Sequence, residues 1–385
     1  MGNRQTLITL CLASFLGSVS FSVLLPVLPY YAQEMGASPS QVGLIIAIYS
    51  YVTAIFLVPF GMLADKIGSR RMLIAGLLLY TLTPLLYHPA NNLTQLGFVR
   101  AAHGLACAVF LPAASALTIQ SMPSERRGEA LGWLTLAMQS SLVVGPILGG
   151  LLLNHWGFQA AFYSCSIIPL AGLFFVLLRL RTIRPASGEI RVRGSFTWLK
   201  QPAVFAGLIA PLFFTIGSGT LFTFMPLHGQ ALGISETMAG IIIATLYLGS
   251  TLLRVPGGKL SDKIGRKPVI LLGLAIASTT MLLISFTGSL PGLIVLAIFY
   301  GMGMGLAMPA AYALVADLTP SEMMGLSMGM TSSFLYCGLA LGPTIMGVVA
   351  TMSNYPTMFR VCSLSLLLGI IVILSLIGKR RRTQT

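Results

Sequence analysis

Arg100 and His103 lie three residues apart inside an apolar stretch, Gly97 to Ala116, that has no other ionisable group besides Cys107. Three residues is one helical turn, so the two side chains share a face. A guanidinium at membrane depth is rare and points to function by default, and an imidazole titrates near neutral pH. The pair could move a proton or contact a ligand. It could also be structural, with Arg100 at an interface or bonding carbonyls and His103 as a buried hydrogen bonder. Catalytic chemistry has little to stand on. There is no GxxxxGK phosphate loop, no cluster of metal ligands and no nucleophile–base pair, so neither a cofactor nor a metal is expected, and the protein is not expected to be an enzyme. The five cysteines fall in apolar stretches without a CxxC pair and read as small buried side chains.

Two further constellations carry spacing. Gly61-Met-Leu-Ala-Asp65-Lys66-Ile-Gly68-Ser69-Arg70-Arg71 is echoed by Gly258-Lys-Leu-Ser-Asp262-Lys263-Ile-Gly265-Arg266-Lys267. Glycines permit a tight turn and close helix approach. The acid can cap the positive end of a neighbouring helix, near 322–325 for Asp65 and 125–128 for Asp262, and the basic cluster favours one membrane face. The other run, with Gly132, Ser141 and then Gly145-Pro146-Ile-Leu-Gly149-Gly150, combines small residues for close packing with a proline for a bend.

The elements that position these groups follow from composition. Of 385 residues 56% are hydrophobic and 8% charged, with a mean hydropathy of +0.88. Soluble domains carry about 25% charged residues, so the chain cannot cover a water-facing surface. Residues 130–178 and 268–316 contain no Asp, Glu, Lys or Arg. A crossing needs about 20 apolar residues, so each stretch holds two, with hairpins near 154–157 and 287–289. Twelve spans are predicted, at 6–30, 41–61, 72–88, 95–120, 129–153, 158–178, 202–227, 238–258, 269–287, 292–316, 325–350 and 358–378. With the N-terminus inside, 20 of the 23 basic residues lie in inner segments, and no Lys or Arg lies in an outer loop. This is the positive-inside bias, and it predicts both termini cytoplasmic. It also accounts for the net charge of +14 without nucleic acid. The first apolar run is too long for a cleaved leader and reads as span 1.

The chain repeats itself at an offset of 197 residues. Pro29 falls on Pro226, Gly36 on Gly233, Asp65 on Asp262, Pro112 on Pro309, Gly145-Pro146 on Gly342-Pro343 and Cys165 on Cys362. Chance similarity of apolar sequences would not keep Pro, Gly and Asp in register. The organisation expected is a six-helix bundle at 1–178, a cytoplasmic linker at 179–201, a second bundle at 202–378 and a basic tail at 379–385. Two parallel copies can rock about a site at the bilayer midplane.

The paired loops resemble the signature loop of the major facilitator superfamily in both of its places. Arg100-Ala-Ala-His103-Gly104 is similar to that family's RxxQG element, with His103 in place of Gln, and the Gly-Pro-Gly-Gly run of span 5 resembles its antiporter element. The resemblance covers the whole chain. It implies an all-α fold of twelve membrane helices in two pseudo-symmetric bundles, a small-molecule substrate and alternating access, with Arg100 and His103 in proton coupling or substrate contact. It implies conformational roles for Gly61, Asp65, Gly68, Arg70, Gly145, Pro146, Gly149, Gly150, Gly258, Asp262, Gly265, Arg266 and Asp317. It also implies a cavity lined by spans 1, 4, 7 and 10 with help from 2, 5, 8 and 11. The candidate liners are Ser18, Ser22, Phe110, Gln139, Phe214, Ser218, Tyr247, Tyr300, Met304 and Tyr336. The function expected is proton-coupled efflux of small amphipathic compounds. Uptake or facilitated transport of a sugar, organic anion or metallophore, or lipid flipping, is the alternative. None of the nine acids falls in the middle of a span, which suits a neutral or anionic substrate. The setting expected is a bacterial inner membrane, with the protein a monomer in the lipid bilayer.

In the family the basic residue after the second loop glycine pairs with an acid closing the fourth helix of the same half. The second half has both, Arg266 and Asp317, whereas the matching first-half positions are Ser69 and Gln120. Losing one partner would strand a charge, so joint loss is what a direct contact leaves behind. An Arg266–Asp317 salt bridge within about 4 Å is therefore expected in an outward-open structure, with no ionic counterpart at Ser69 and Gln120.

Overall fold

The computed structural model describes residues 3–180, 196–320 and 323–378. Most of the expected linker and the basic tail lie outside the described residues. Eleven α-helices follow in order: α1 Asn3–Glu34, α2 Pro39–Ile67, α3 Ser69–Leu82, α4 Leu93–Gln120, α5 Arg127–Arg179, α6 Pro202–Ala231, α7 Glu236–Ile264, α8 Arg266–Ile284, α9 Leu290–Leu318, α10 Met324–Met352 and α11 Tyr355–Gly378. Helix α5 carries a break at Gly157, whose φ of 76° turns the chain back, so it holds the fifth and sixth crossings. With α5 counted twice the described helices make twelve crossings.

Membranes admit helices because every backbone polar group is satisfied within the segment. Two departures from regular helix have local causes. The third span ends in a 3-10 turn, Thr83–Tyr87, instead of continuing as α-helix to residue 88. Pro84 at its start offers no N–H to the ladder, and the last turn tightens. Asn92 and Ser289 cap α4 and α9, their side chains accepting from the backbone N–H of Gln95 and Gly292.

The described residues form two compact units. One comprises 3–37, 48–180 and 229–244; the other comprises 38–47, 196–228 and 245–378. The bundle expected from 1–178 thus gives up the start of α2 and takes in the start of α7. Each unit has its own buried aromatic interior, Tyr49, Tyr87, Phe110 and Phe162 in the first and Phe214, Phe224, Tyr300 and Phe359 in the second. Apolar stripes face outward, as on α11, where Leu364, Leu368 and Ile371 are more than half exposed. Such a stripe belongs against lipid.

Helix approach within each unit depends on side-chain-free positions. A methyl group on Gly104 would overlap the Tyr49 carbonyl, and one on Gly301, 197 residues later, would overlap the Leu246 carbonyl. Gly301→Ala and Gly104→Ala should each cost about 1–3 kcal/mol by overpacking, read as a lower melting temperature in detergent. Gly128→Ala, where nothing lies within 4 Å of the new methyl group, should cost nothing measurable.

Candidate functional site

Arg100 and His103 are turned into the first unit. Arg100 is 2% exposed and His103 fully buried. The close approach of α4 to α2 at Gly104 brings them against Tyr49, with the Arg100 guanidinium 4.8 Å from the centre of its ring. His103 lies edge-on to Tyr49 and Tyr80, ring centres 5.4 and 5.3 Å away. Its Nδ1 is 3.2 Å from the Tyr87 hydroxyl, and the Tyr49 and Tyr80 hydroxyls are 3.2 Å apart. His103 Nε2 is buried with no hydrogen-bond partner. The pair is caged by tyrosines from α2, α3 and the turn after α3. Cation–π contact and tyrosine hydroxyls give the charge a polar environment without a carboxylate.

Sequence reading missed Tyr49, Tyr80 and Tyr87, although a signal was present. The positions 197 residues on are Leu246, Ala277 and Ile284, and those matching Arg100 and His103 are Ala297 and Tyr300. All five members of the cage are absent together from the second copy. There Tyr300 takes the place of His103 and donates its hydroxyl to the Phe214 carbonyl at 2.6 Å.

The candidate liners divide. Ser18, Gln139 and Tyr336 are half-buried. Ser22, Phe110, Phe214, Ser218, Tyr247, Tyr300 and Met304 are all under 9% exposed. Phe110 fills the space beside Gly17 and Gly76, and Ser22 donates to carbonyls of its own helix while abutting Gly145. Ser14, Ser18 and Ser22 recur every four residues along α1, and Ser14 and Ser22 are fully buried.

The Gly-Pro run of α5 is a contact surface on two sides. A methyl group on Gly145 would strike Ser22 and one on Gly149 the Val23 carbonyl, both on α1. On Gly150 it would strike the Glu236 carbonyl, and the Pro146 carbonyl faces Gly240, both on α7. The second copy repeats this: Pro343 faces Gly43, Gly342 faces Ile216 and Gly347 faces Pro39. Gly132 has open space and takes no part.

In the paired loops Gly68 and Gly265 turn the chain with φ of 103° and 95° into α3 and α8. Gly61 and Gly258 sit within helices, their nearest neighbours Pro112 and Pro309 at ordinary distance, so they permit no unusual approach. Arg70 donates to the Leu180 carbonyl at 2.8 Å, and Asp65 is exposed. Arg266 Nε lies 3.0 Å from Asp317 Oδ2, and the guanidinium also meets Asp262 and Ser261. At the matching first-half positions the Gln120 amide donates to Ser69 Oγ at 3.0 Å. The contact survives in both halves, ionic in one and neutral in the other.

A duplicated set of membrane-crossing helices with paired turn loops is the architecture of a membrane transporter. The chain belongs to the Major Facilitator Superfamily, whose model matches residues 10–230 and 207–385. It is similar to the multi-drug resistance efflux pump PmrA of Streptococcus pneumoniae, 27% identical over 364 residues covering 91% of this chain and 90% of that one. It is also similar to the multidrug resistance protein MdtG of Klebsiella pneumoniae, 26% identical over 377 residues, with 93% and 90% covered. Among solved structures, a bacterial homolog of the human lysosomal transporter Spinster, inward-facing and occupied, matches with a TM-score of 0.77 at 15% identity, covering 97% of this chain and 95% of that one. The nucleoside transporter NupG matches with 0.77 at 15% identity, covering 96% and 99%. These two show the shared fold.

The loop contacts make a direct prediction. Replacing Arg266 by Ser and Asp317 by Gln together installs the first-half pair and should cost less than the two single changes added. The coupling in a double-mutant cycle of melting in detergent should be above zero and no more than about 1 kcal/mol, as for a partly exposed pair. Strict additivity would mean the contact carries no energy.

Proposed function

We propose that the protein exports small amphipathic compounds in exchange for protons by alternating access. The observation that carries this reading is the Gly-Pro surface of α5. Its bare positions let the helix move against α1 on one side and against the start of α7 on the other. The proline supplies the bend. PmrA and MdtG, named for drug efflux and aligned along nine tenths of both chains, support the direction.

The cage supplies the coupling. A proton taken up on His103 Nε2 would place a second positive charge one turn from Arg100 among rings and hydroxyls, with no acid in mid-span to balance it. Like charges at that spacing repel, and the relief is movement of α4 against α2 and α3. Tyr87 reports the change, since an imidazolium can only donate to its hydroxyl. The Asp65 and Asp262 loops then bias which state is held, each acid steadying a helix start by about 0.3–1 kcal/mol. The clustering of 20 of 23 basic residues in inner segments supports cytoplasmic termini in a bacterial inner membrane, and a monomer carries the whole device.

Everted membrane vesicles test the reading. Energised vesicles should accumulate an amphipathic fluorescent dye, and nigericin, which collapses the proton gradient, should release it. Equilibration indifferent to nigericin would make the protein a facilitator. Arg100→Ala, inserted at normal levels, should lose gradient-driven accumulation at least tenfold, about 1.4 kcal/mol. Normal accumulation in that variant would remove Arg100 from the coupling.

A further inference from the structure

A cavity of about 590 Å³ opens where α1 ends and α7 begins. All of its walls belong to the first unit, and its lining shares no residue with the tyrosine cage or the paired loops. Its size falls within the range of organic-ligand sites, about 300–1,000 Å³. A single metal ion, with its oxygens at about 2–2.6 Å, needs far less. Two of the nine acids in the chain line it, Glu34 and Glu236. No Lys, Arg or His is among the lining residues, and neither acid has an ion pair among the described residues. The walls are well seated. Gly150 leaves no room for a methyl group against the Glu236 carbonyl, and Thr237 donates to the Gly150 carbonyl at 3.4 Å. The start of α7 is thereby fixed on α5, one turn before Asn154, which also lines the cavity. Beyond the turn at Gly157, Phe158 adds a ring, its centre 5.1 Å from that of Tyr31. Tyr30, 5% exposed, adds a second.

Helix electrostatics accounts for one acid and not the other. Glu236 opens α7, where a carboxylate offsets the positive end of the helix. Glu34 closes α1 and stands at a negative end, where a carboxylate is unfavourable. Helix α6 ends here too, at Gln230 and Ala231. Two helix C-termini and two carboxylates give the cavity a field of one sign, which concentrates cations. The 197-residue repeat separates the two copies at this point. The positions matching Glu34 and Glu236 are Ala231 and Pro39, and Leu227 matches Tyr30. One copy has both acids and the other has neither, so the turn itself does not require them.

We propose that this cavity binds an organic dication, a diamine or polyamine, at the membrane face opposite the paired loops. Glu34 and Glu236 meet its ammonium groups, and the amide oxygens of Gln33, Asn154 and Gln230 are further acceptors. Tyr30 and Phe158 offer rings to ammonium and methylene groups alike. Two charges on the ligand match two on the protein. The binding site does not need the exporter reading.

The test is equilibrium dialysis of radiolabelled cadaverine and pentylamine, a diamine and its one-amine counterpart, against full-length protein in phosphatidylcholine nanodiscs. Wild type should bind cadaverine at least tenfold more tightly than pentylamine, with empty nanodiscs as the blank. Glu34→Gln combined with Glu236→Gln should bring the two amines level. Glu34→Asp, which keeps the charge, should keep part of the preference, and Glu129→Gln, at the other membrane face, should leave it unchanged. Equal affinity of wild type for both amines would overturn the proposal, as would a preference that survives the double change. Displacement of cadaverine by magnesium chloride, beyond that by choline chloride at equal ionic strength, would also overturn it by making this a metal site. Dye accumulation in everted vesicles is a separate readout. Cadaverine binding without gradient-driven accumulation sinks the exporter and keeps the site. Normal accumulation with no preference for cadaverine does the reverse.

Discussion

Between helices in a bilayer the solvent offers no hydrophobic drive, because lipid tails are as apolar as leucine. Association then depends on how closely backbones can come, and in this protein glycine sets that distance. The carbonyls of Tyr49, Pro146, Leu246 and Pro343 each face a position with no room for a methyl group, at Gly104, Gly240, Gly301 and Gly43. The four contacts are two pairs related by the 197-residue repeat. They decide which helices touch, and so where the polar side chains of α4, α7 and α9 can go. The Arg100 cage exists because Gly104 lets α4 settle onto Tyr49. Gly249, Gly257 and Gly305 likewise close the α7–α9 seam.

Much of this was legible in the residues. Hydropathy and charge-free length gave the crossings, including the turn now seen at Gly157. The repeat pointed to two copies, and the joint replacement of Arg266 and Asp317 by Ser69 and Gln120 pointed to a contact, which is present in both forms. Other features were hidden for physical reasons. Tyr87 lies in a 3-10 turn that breaks helical phase, so period alone could not place it on His103. Phe110, Phe214 and Tyr300 sit on helices expected to line a cavity, yet each side chain fills the hole left by a nearby glycine. Which face of an apolar helix points to the centre depends on neighbours distant in sequence. The exchanged starts of α2 and α7 were equally out of reach, since nothing in either segment names its partner.

The polar groups are distributed unevenly between the copies, and that unevenness has a logic. The first half has its tyrosine cage around an arginine and a histidine, where the second has Ala297 and Tyr300. The second half has Arg254 and Tyr312, where the first has Leu57 and Ser115. Each half thus carries a cation, Arg100 or Arg254, where the other half has an apolar residue, Ala297 or Leu57.

The loop contacts differ in one respect that packing does not reveal. The Arg266–Asp317 pair joins the start of α8 to the end of α9 by opposite charges, and both side chains reach water. Mobile ions screen such a pair over about 8 Å at physiological ionic strength and about 3 Å at 1 M. The Gln120–Ser69 bond between α4 and α3 is neutral and lies outside that influence. A rise in salt would therefore weaken the pair in the second half and leave its neutral counterpart in the first half as it is.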